Sequence, residues 1–156
     1  ALKSFSGIKR RQEIRGIRNG VTVMDDFAHH PTAVRETIKA VRPFYKSGRI
    51  IAVFEPRTNT SMRKFFQEIY PDSFLDADMV CVCEPAIKKN IPQKDKFSIR
   101  QLVVDIEKKG IKAYYFENSD KLINALILKL RPNDLVLIMS NGGFDNIHVK
   151  LLEKIQ

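Results

Sequence analysis

Two acids and two histidines fall within six positions in DDFAHHPTAV, residues 25–34, and the stretch closes on Pro31 and Thr32. Three kinds of chemistry suit such a cluster. Metal binding is disfavoured, because the neighbouring side chains of His29 and His30 diverge and helical ligand pairs sit three or four residues apart. Helix capping is a plain alternative: Asp26 or His30 could cap a helix beginning at Pro31, with His29 satisfied by a backbone carbonyl. A nucleotide site is the third. A carboxylate at the end of a strand can accept from both ribose hydroxyls, Phe27 can pack against a base, and a histidine near a helix start can donate to phosphate. The usual phosphate cradle is missing, since the seven glycines form neither G-x-x-x-x-G-K-[ST] nor G-x-G-x-x-G.

Two further stretches carry polar groups of similar promise. In FEPRTNTSMR, Arg57 offers a planar donor fork that could clamp a carboxylate. In SNGGFDN, residues 140–146, Gly142 and Gly143 would let backbone N–H groups approach an anion, although Asp145 could simply cap a following helix. A G-x-S-x-G nucleophile elbow is absent, and the acids do not pick out a glycosidase pair.

The elements that must position these groups follow from periodicity. Residues 10–18 and VTVMD, separated by Asn19-Gly20, predict a β-hairpin with a type I′ turn. Val34, Ile38 and Val41 repeat at helical spacing from Pro31 to Pro43. RIIAVF is a strand. After it, Thr58 to Thr60 are expected to cap a helix containing Met62, Phe65, Phe66 and Ile69. MVCVC, KAYYF and LVLIM predict three more strands. The intervening helices carry Ile99, Leu102, Val103 and Ile106 after Ser98, and SDKLINALILKL capped by Ser119; Asp145 to Ile155 closes the chain as a helix. The fold class is therefore α/β, a mostly parallel Rossmann-like sheet with helices on both faces and an N-terminal β-hairpin. Open sheets of this kind bind ligands beyond the carboxyl ends of their strands. Asp25 to His30, Glu55 to Thr58, Glu84 and Ser140 to Asp145 all follow apolar runs, so they should converge on one edge.

Composition narrows the partners. The 156 residues predict one domain, and the 44% hydrophobic content is spread through them without a run near the roughly 20 apolar residues of a membrane span. No membrane partner is expected, and with no signal-peptide core the chain should be cytoplasmic. Cys81 and Cys83 lie two apart on one strand, face the same side, and read as buried free thiols. The net charge of +9 favours an anionic partner. Basic residues are interleaved with acids and the aromatics fall within apolar patterns, so nucleic acid is not expected.

GIKRRQEIRG, NGVTVMDDFAHHPTAV, FEPRTNTSMR and MSNGGFDNIH, in that order, resemble the C-terminal domain of the Mur ligases. The likeness runs from about Phe5 to the end of the chain. It implies a dihydrofolate-reductase-like C-terminal domain, residues 1–156, of a three-domain ATP-dependent ligase that activates the carboxylate of UDP-N-acetylmuramate as an acyl phosphate for attack by an amine. The motifs resemble the branch that adds the murein tripeptide L-Ala-γ-D-Glu-meso-diaminopimelate in peptidoglycan recycling more than the branch that adds L-alanine, whose pattern has Tyr where Phe27 stands. A stand-alone nucleotide or nucleic-acid binding module is the remaining alternative. The resemblance further implies that Arg11, Asp26 and Phe27 face the nucleotide and that His29 faces phosphates or the reaction centre, with His30 left between a functional and a structural role. It puts Arg57, Thr58, Ser140, Asn141 and Phe144 along the peptide pocket. Magnesium would lie on the central domain, so no metal ligand is assigned here. The N-terminal and central domains of the same chain would be partners, and the fragment alone would be inactive.

Overall fold

A computed structural model describes residues 10–57, 64–86 and 97–156. Strand β1 (Glu13–Arg18) turns through Asn19 and Gly20, at φ 47° and 75°, into antiparallel β2 (Val21–Asp26). Positive φ at both turn positions is what a type I′ hairpin requires, and Gly20 meets it without a Cβ penalty. The strand is shorter than the expected 10–18. Arg10 and Gln12 adopt φ of 57° and 49°, which takes the chain out of the extended region before Glu13.

The remaining strands are parallel: β3 (Ile50–Phe54), β4 (Met79–Cys83), β5 (Lys112–Phe116) and β6 (Leu135–Met139). The sheet order is β1-β2-β6-β3-β4-β5. Insertion of β6 between β2 and β3 leaves β2, β3, β4 and β6 with every residue buried, which is why their sequences read as continuous apolar runs.

Helices cover both faces. On one, α1 (Pro31–Val41) and α2 (Ile99–Lys108) bury Val34, Ile38, Leu102 and Ile106 against Ala52, Phe54, Val80 and Leu137. On the other, α3 (Ser119–Ile127) and α4 (Ile147–Lys154) bury Leu122, Leu126, Ile147 and Leu151 against Val23, Val53, Cys81 and Ile138. Each such side chain stabilises the fold by roughly 1.5–3 kcal/mol. Cys81 and Cys83 share this second face as buried free thiols, as their spacing predicts.

Several helix ends differ from expectation. The caps of Met62's expected helix, Thr58 to Thr60, and Met62 itself lie outside the described residues. From Lys64 onward the chain forms two short 3-10 turns, Lys64–Phe66 and Tyr70–Phe74, rather than an α-helix. Pro71 has no N–H to continue a ladder, and the buried Phe66, Tyr70 and Phe74 anchor the turns instead. Ser98 caps α2, its hydroxyl accepting from Gln101 N at 3.1 Å. Asn118, not Ser119, caps α3, since its side chain accepts from Lys121 N at 2.9 Å. Asp145 does not open α4. It sits at φ 51° between Phe144 and Asn146, at 42° and 52°, and its carboxylate is taken by Ser119 and Lys150. Among the described residues no helix is long and apolar enough to cross a membrane.

Candidate functional site

Parallel register brings the polar loops together. Met139 of β6 is level with Asp26 of β2 and Phe54 of β3, so the next residues, Ser140, Phe27 and Glu55, emerge side by side at the carboxyl edge. Ser140 N donates to Asp26 O at 3.2 Å, and Glu55 N donates to Met139 O at 3.1 Å. The Ser140 hydroxyl donates to Glu55 Oε1 at 2.8 Å and accepts from Gly142 N at 3.0 Å, closing the loop into a tight turn. Glu84 lies one strand further along, where Tyr115 donates to its carboxylate at 3.3 Å.

Asp26 is 2% exposed. Its Oδ1 accepts from Ala28 N at 2.7 Å and its Oδ2 from Gln12 N at 2.8 Å, so both oxygens hold backbone. Phe27, by contrast, is exposed, and its ring stands edge-on to His29 with Arg10 over its face at 5.3 Å. His29 is half-buried, with Nδ1 3.0 Å from the Phe27 carbonyl. A carbonyl can only accept, so Nδ1 carries the proton in this contact. His30 caps α1 through a weak 3.4 Å contact with Thr32 N and packs on Phe66. That placement suits a structural histidine. Arg11 is exposed with no partner among the described residues.

On the other side of Ser140, Arg57 lies across Gly142 so closely that a Cβ there would stand 2.2 Å from Nη1. Its guanidinium is 4.0 Å from Glu55 Oε1. Glu55 is itself 3% exposed, and burial pushes its carboxyl above the usual range, against the opposing effects of the Ser140 hydrogen bond and Arg57. Asn141 Oδ1 is buried and has no hydrogen-bond partner among the described residues. Phe144 is 2% exposed and packs with Ile138 and Ile147 in the second core cluster, while part of it lines a cavity shared with Arg10, Gly142 and His148. Thr58 lies outside the described residues.

Arg10, which no motif in the sequence marks, is central to the loop geometry. Its guanidinium donates to Ser140 O and to Gly142 O and pairs with Asp25 at 3.3 Å, while its carbonyl accepts from Phe27 N at 2.8 Å. One residue, through its side chain and its carbonyl, thus ties the hairpin entrance to two site loops. A cavity of about 260 Å³ beside it is lined by Arg10, Arg15, Asp25, Gly142, Asn146 and His148 among others. Burial and then Arg15 lower the His148 pKa, favouring the neutral imidazole. Among the described residues no group of three or more His, Cys, Asp and Glu side chains could hold a metal ion.

The family model described as Mur ligase, glutamate ligase domain, matches residues 10–142. The chain belongs to the Mur ligases, as a C-terminal domain. It is 37% identical over its whole length to the UDP-N-acetylmuramate–L-alanyl-γ-D-glutamyl-meso-2,6-diaminoheptandioate ligase of Haemophilus influenzae, and 40% identical over 98% of its length to that of Escherichia coli. It covers 32% of each, so it spans about a third of these relatives. The UDP-N-acetylmuramate–L-alanine ligase of Pelotomaculum thermopropionicum is 33% identical over the whole chain and 33% of its own. Among solved structures, a domain assigned to a UDP-N-acetylmuramate:L-alanyl-γ-D-glutamyl-diaminopimelate ligase of Haemophilus ducreyi superposes with TM-score 0.76 at 34% identity, covering 94% of this chain and all of that one.

In this Mur ligase domain the two residues that organise the loops, Arg10 and Glu55, differ in how far the sequence marks them. Arg10 is one of five basic residues in KRRQEIRGIR, and only the turn at Arg10 and Gln12 distinguishes it from Arg11. Glu55 carried a visible signal, a charge directly after five apolar residues, where burial is costly and calls for a partner.

Proposed function

We propose that this domain is the amino-substrate and ATP-closing part of a three-domain ligase that joins UDP-N-acetylmuramate to L-Ala-γ-D-Glu-meso-diaminopimelate. The observation that carries the reading is the division of the carboxyl edge by the Ser140–Gly142 turn. On the hairpin side stand exposed Arg11 and Phe27 and half-buried His29, a cation, an aromatic face and an imidazole fit for a nucleotide. On the β3 side stands Arg57, with donors uncommitted among the described residues, beside the turn that carries Asn141. A guanidinium fork of this kind suits the carboxylates of a peptide.

ATP supplies the activation of the muramate carboxylate as an acyl phosphate, and magnesium belongs to the central domain in this reading. The residues of this chain bind, orient and exclude water. Phe27 packs against the adenine side, Arg11 neutralises nucleotide charge, and His29 faces the phosphates. Asp26 serves by holding the amides of Gln12 and Ala28, which keeps the hairpin entrance and the Phe27–His29 turn in shape; its burial leaves no surface for the ribose. Ser140 shapes the turn, and Phe144 supports it from beneath. Closure onto the central domain removes water that would otherwise hydrolyse the activated carboxylate. A charge of +9 favours closure onto an anionic nucleotide and UDP-sugar. The greater likeness to the tripeptide ligases favours the tripeptide over L-alanine.

The test is ATP-dependent ligation by the full-length parent with the tripeptide and with L-alanine, alongside the isolated domain. Turnover of the tripeptide by the parent, and none by the domain, is the expected result. A parent that uses L-alanine alone moves the reading to the biosynthetic branch. Turnover with neither removes it.

A further inference from the structure

Arg10, Arg49 and Arg57 differ in what their guanidinium groups have left to offer. Arg10 is committed to Ser140 O, Gly142 O and Asp25. Arg49 is committed as a bidentate pair to Asp134, at 2.9 and 2.6 Å, with a further bond to Lys129 O. Arg57 is neither. Its only charged partner among the described residues is Glu55, and at 4.0 Å the contact is too long to be a hydrogen bond. Attraction therefore holds the guanidinium without using up its donors.

Glu55 is built for that purpose. Its carboxylate is fixed by the Ser140 hydroxyl at 2.8 Å and is buried, so it cannot swing out to form a close, neutralising pair. Gly142 completes the seat, because the guanidinium occupies the space a side chain would need. We propose that Glu55 is a positioning residue: its buried carboxylate holds Arg57 across Gly142 with the donor fork open, so that a carboxylate of the amino substrate is met in one orientation. This rests on the reading of Arg57 as a peptide-binding residue.

The charge on Glu55 should then control peptide affinity. Arg57 and Arg10 favour its ionised form; burial and Asp145 oppose it, and the Cys83 thiol on β4 lies within its field. Burial prevails, so Glu55 takes up its proton at a higher pH than an exposed glutamate. Protonation releases Arg57, and the KM for peptide rises on the acid side.

The experiment measures kcat and KM for tripeptide and for ATP in the full-length enzyme between about pH 5 and about pH 8, for wild type, Glu55→Gln, Glu55→Asp, Arg57→Ala and the Glu55→Gln/Arg57→Ala double variant. Glu55→Gln keeps an acceptor for Ser140 but loses the charge. It should raise the KM for peptide roughly tenfold, leave kcat and the KM for ATP within about twofold, and abolish the acid-side rise. Glu55→Asp should restore that rise. The double variant should be no worse than Arg57→Ala alone, as expected of two residues acting through one contact. An unchanged peptide KM in Glu55→Gln, with a raised one in Arg57→Ala, overturns the proposal and leaves the peptide-binding reading standing. Uniform loss across all parameters in Glu55→Gln also overturns it, since that marks a general structural role. An unchanged peptide KM in Arg57→Ala overturns the reading itself.

Discussion

A buried glutamate that is useful to a site is a burden on the fold that carries it. Because burial raises the Glu55 pKa above its ordinary 4.5, the folded chain holds this proton more tightly than the unfolded chain does. Stability associated with the protonated form is fully present below pH 4.5 and is lost as pH rises through the folded value. Glu55→Gln should therefore melt at a higher temperature than wild type near about pH 7, with the difference closing as the pH falls; thermal denaturation across that range decides it. Asn146 is a second residue under constraint. It ends a left-handed run of three non-glycine residues and makes no capping hydrogen bond. Glycine suits φ of 52° without a Cβ clash, so Asn146→Gly should stabilise the domain by up to about 1 kcal/mol in urea unfolding.

Two glycines at the ends of strands separate packing from function at the scale of elements. Gly48 precedes β3, and a Cβ there would come within 1.8 Å of the Asn133 carbonyl oxygen, a backbone atom that cannot step aside. Gly48→Ala should cost about 3 kcal/mol in a denaturant melt. At Gly142 the obstacle is a side chain, Arg57, which can move. Gly142→Ala should leave the melting curve nearly intact and raise the KM for peptide in the full-length enzyme. Most of the elements were legible in advance, because β2, β3, β4 and β6 are apolar on both faces and α1 and α2 have strict apolar stripes. The segment at 64–74 was not, since its aromatic residues fit a helical spacing while Pro71 and tertiary anchoring dictate 3-10 turns. Helix starts failed for a related reason: Ser119 and Asp145 both have good capping chemistry, but they bond each other across 26 residues, a pairing no local pattern reveals. The convergence of loops followed from the class of fold, whereas the neighbours of each side chain depended on β6 entering between β2 and β3.

For the whole molecule, the division of labour is between a rigid sheet and the loops on one of its edges. The solved Haemophilus ducreyi domain is covered completely by 94% of this chain, so an isolated piece of about this length has precedent as a folded unit. The isolated domain should unfold in one cooperative transition by calorimetry while giving no ligation. The two cysteines make such unfolding visible. Burial pushes both thiols up to about 12, so at neutral pH almost none of either is thiolate, and each is 2% exposed or less. An aromatic disulfide reagent therefore has nothing to attack until the second face of the sheet comes apart. The colour it releases is a clock for opening events too rare for any equilibrium probe, and both cysteines should keep the same time. Adding nucleotide and peptide to the full-length enzyme should slow that clock if the ligands bind the closed form, and the ratio of rates would report how tightly the site edge and the distant thiols are locked together.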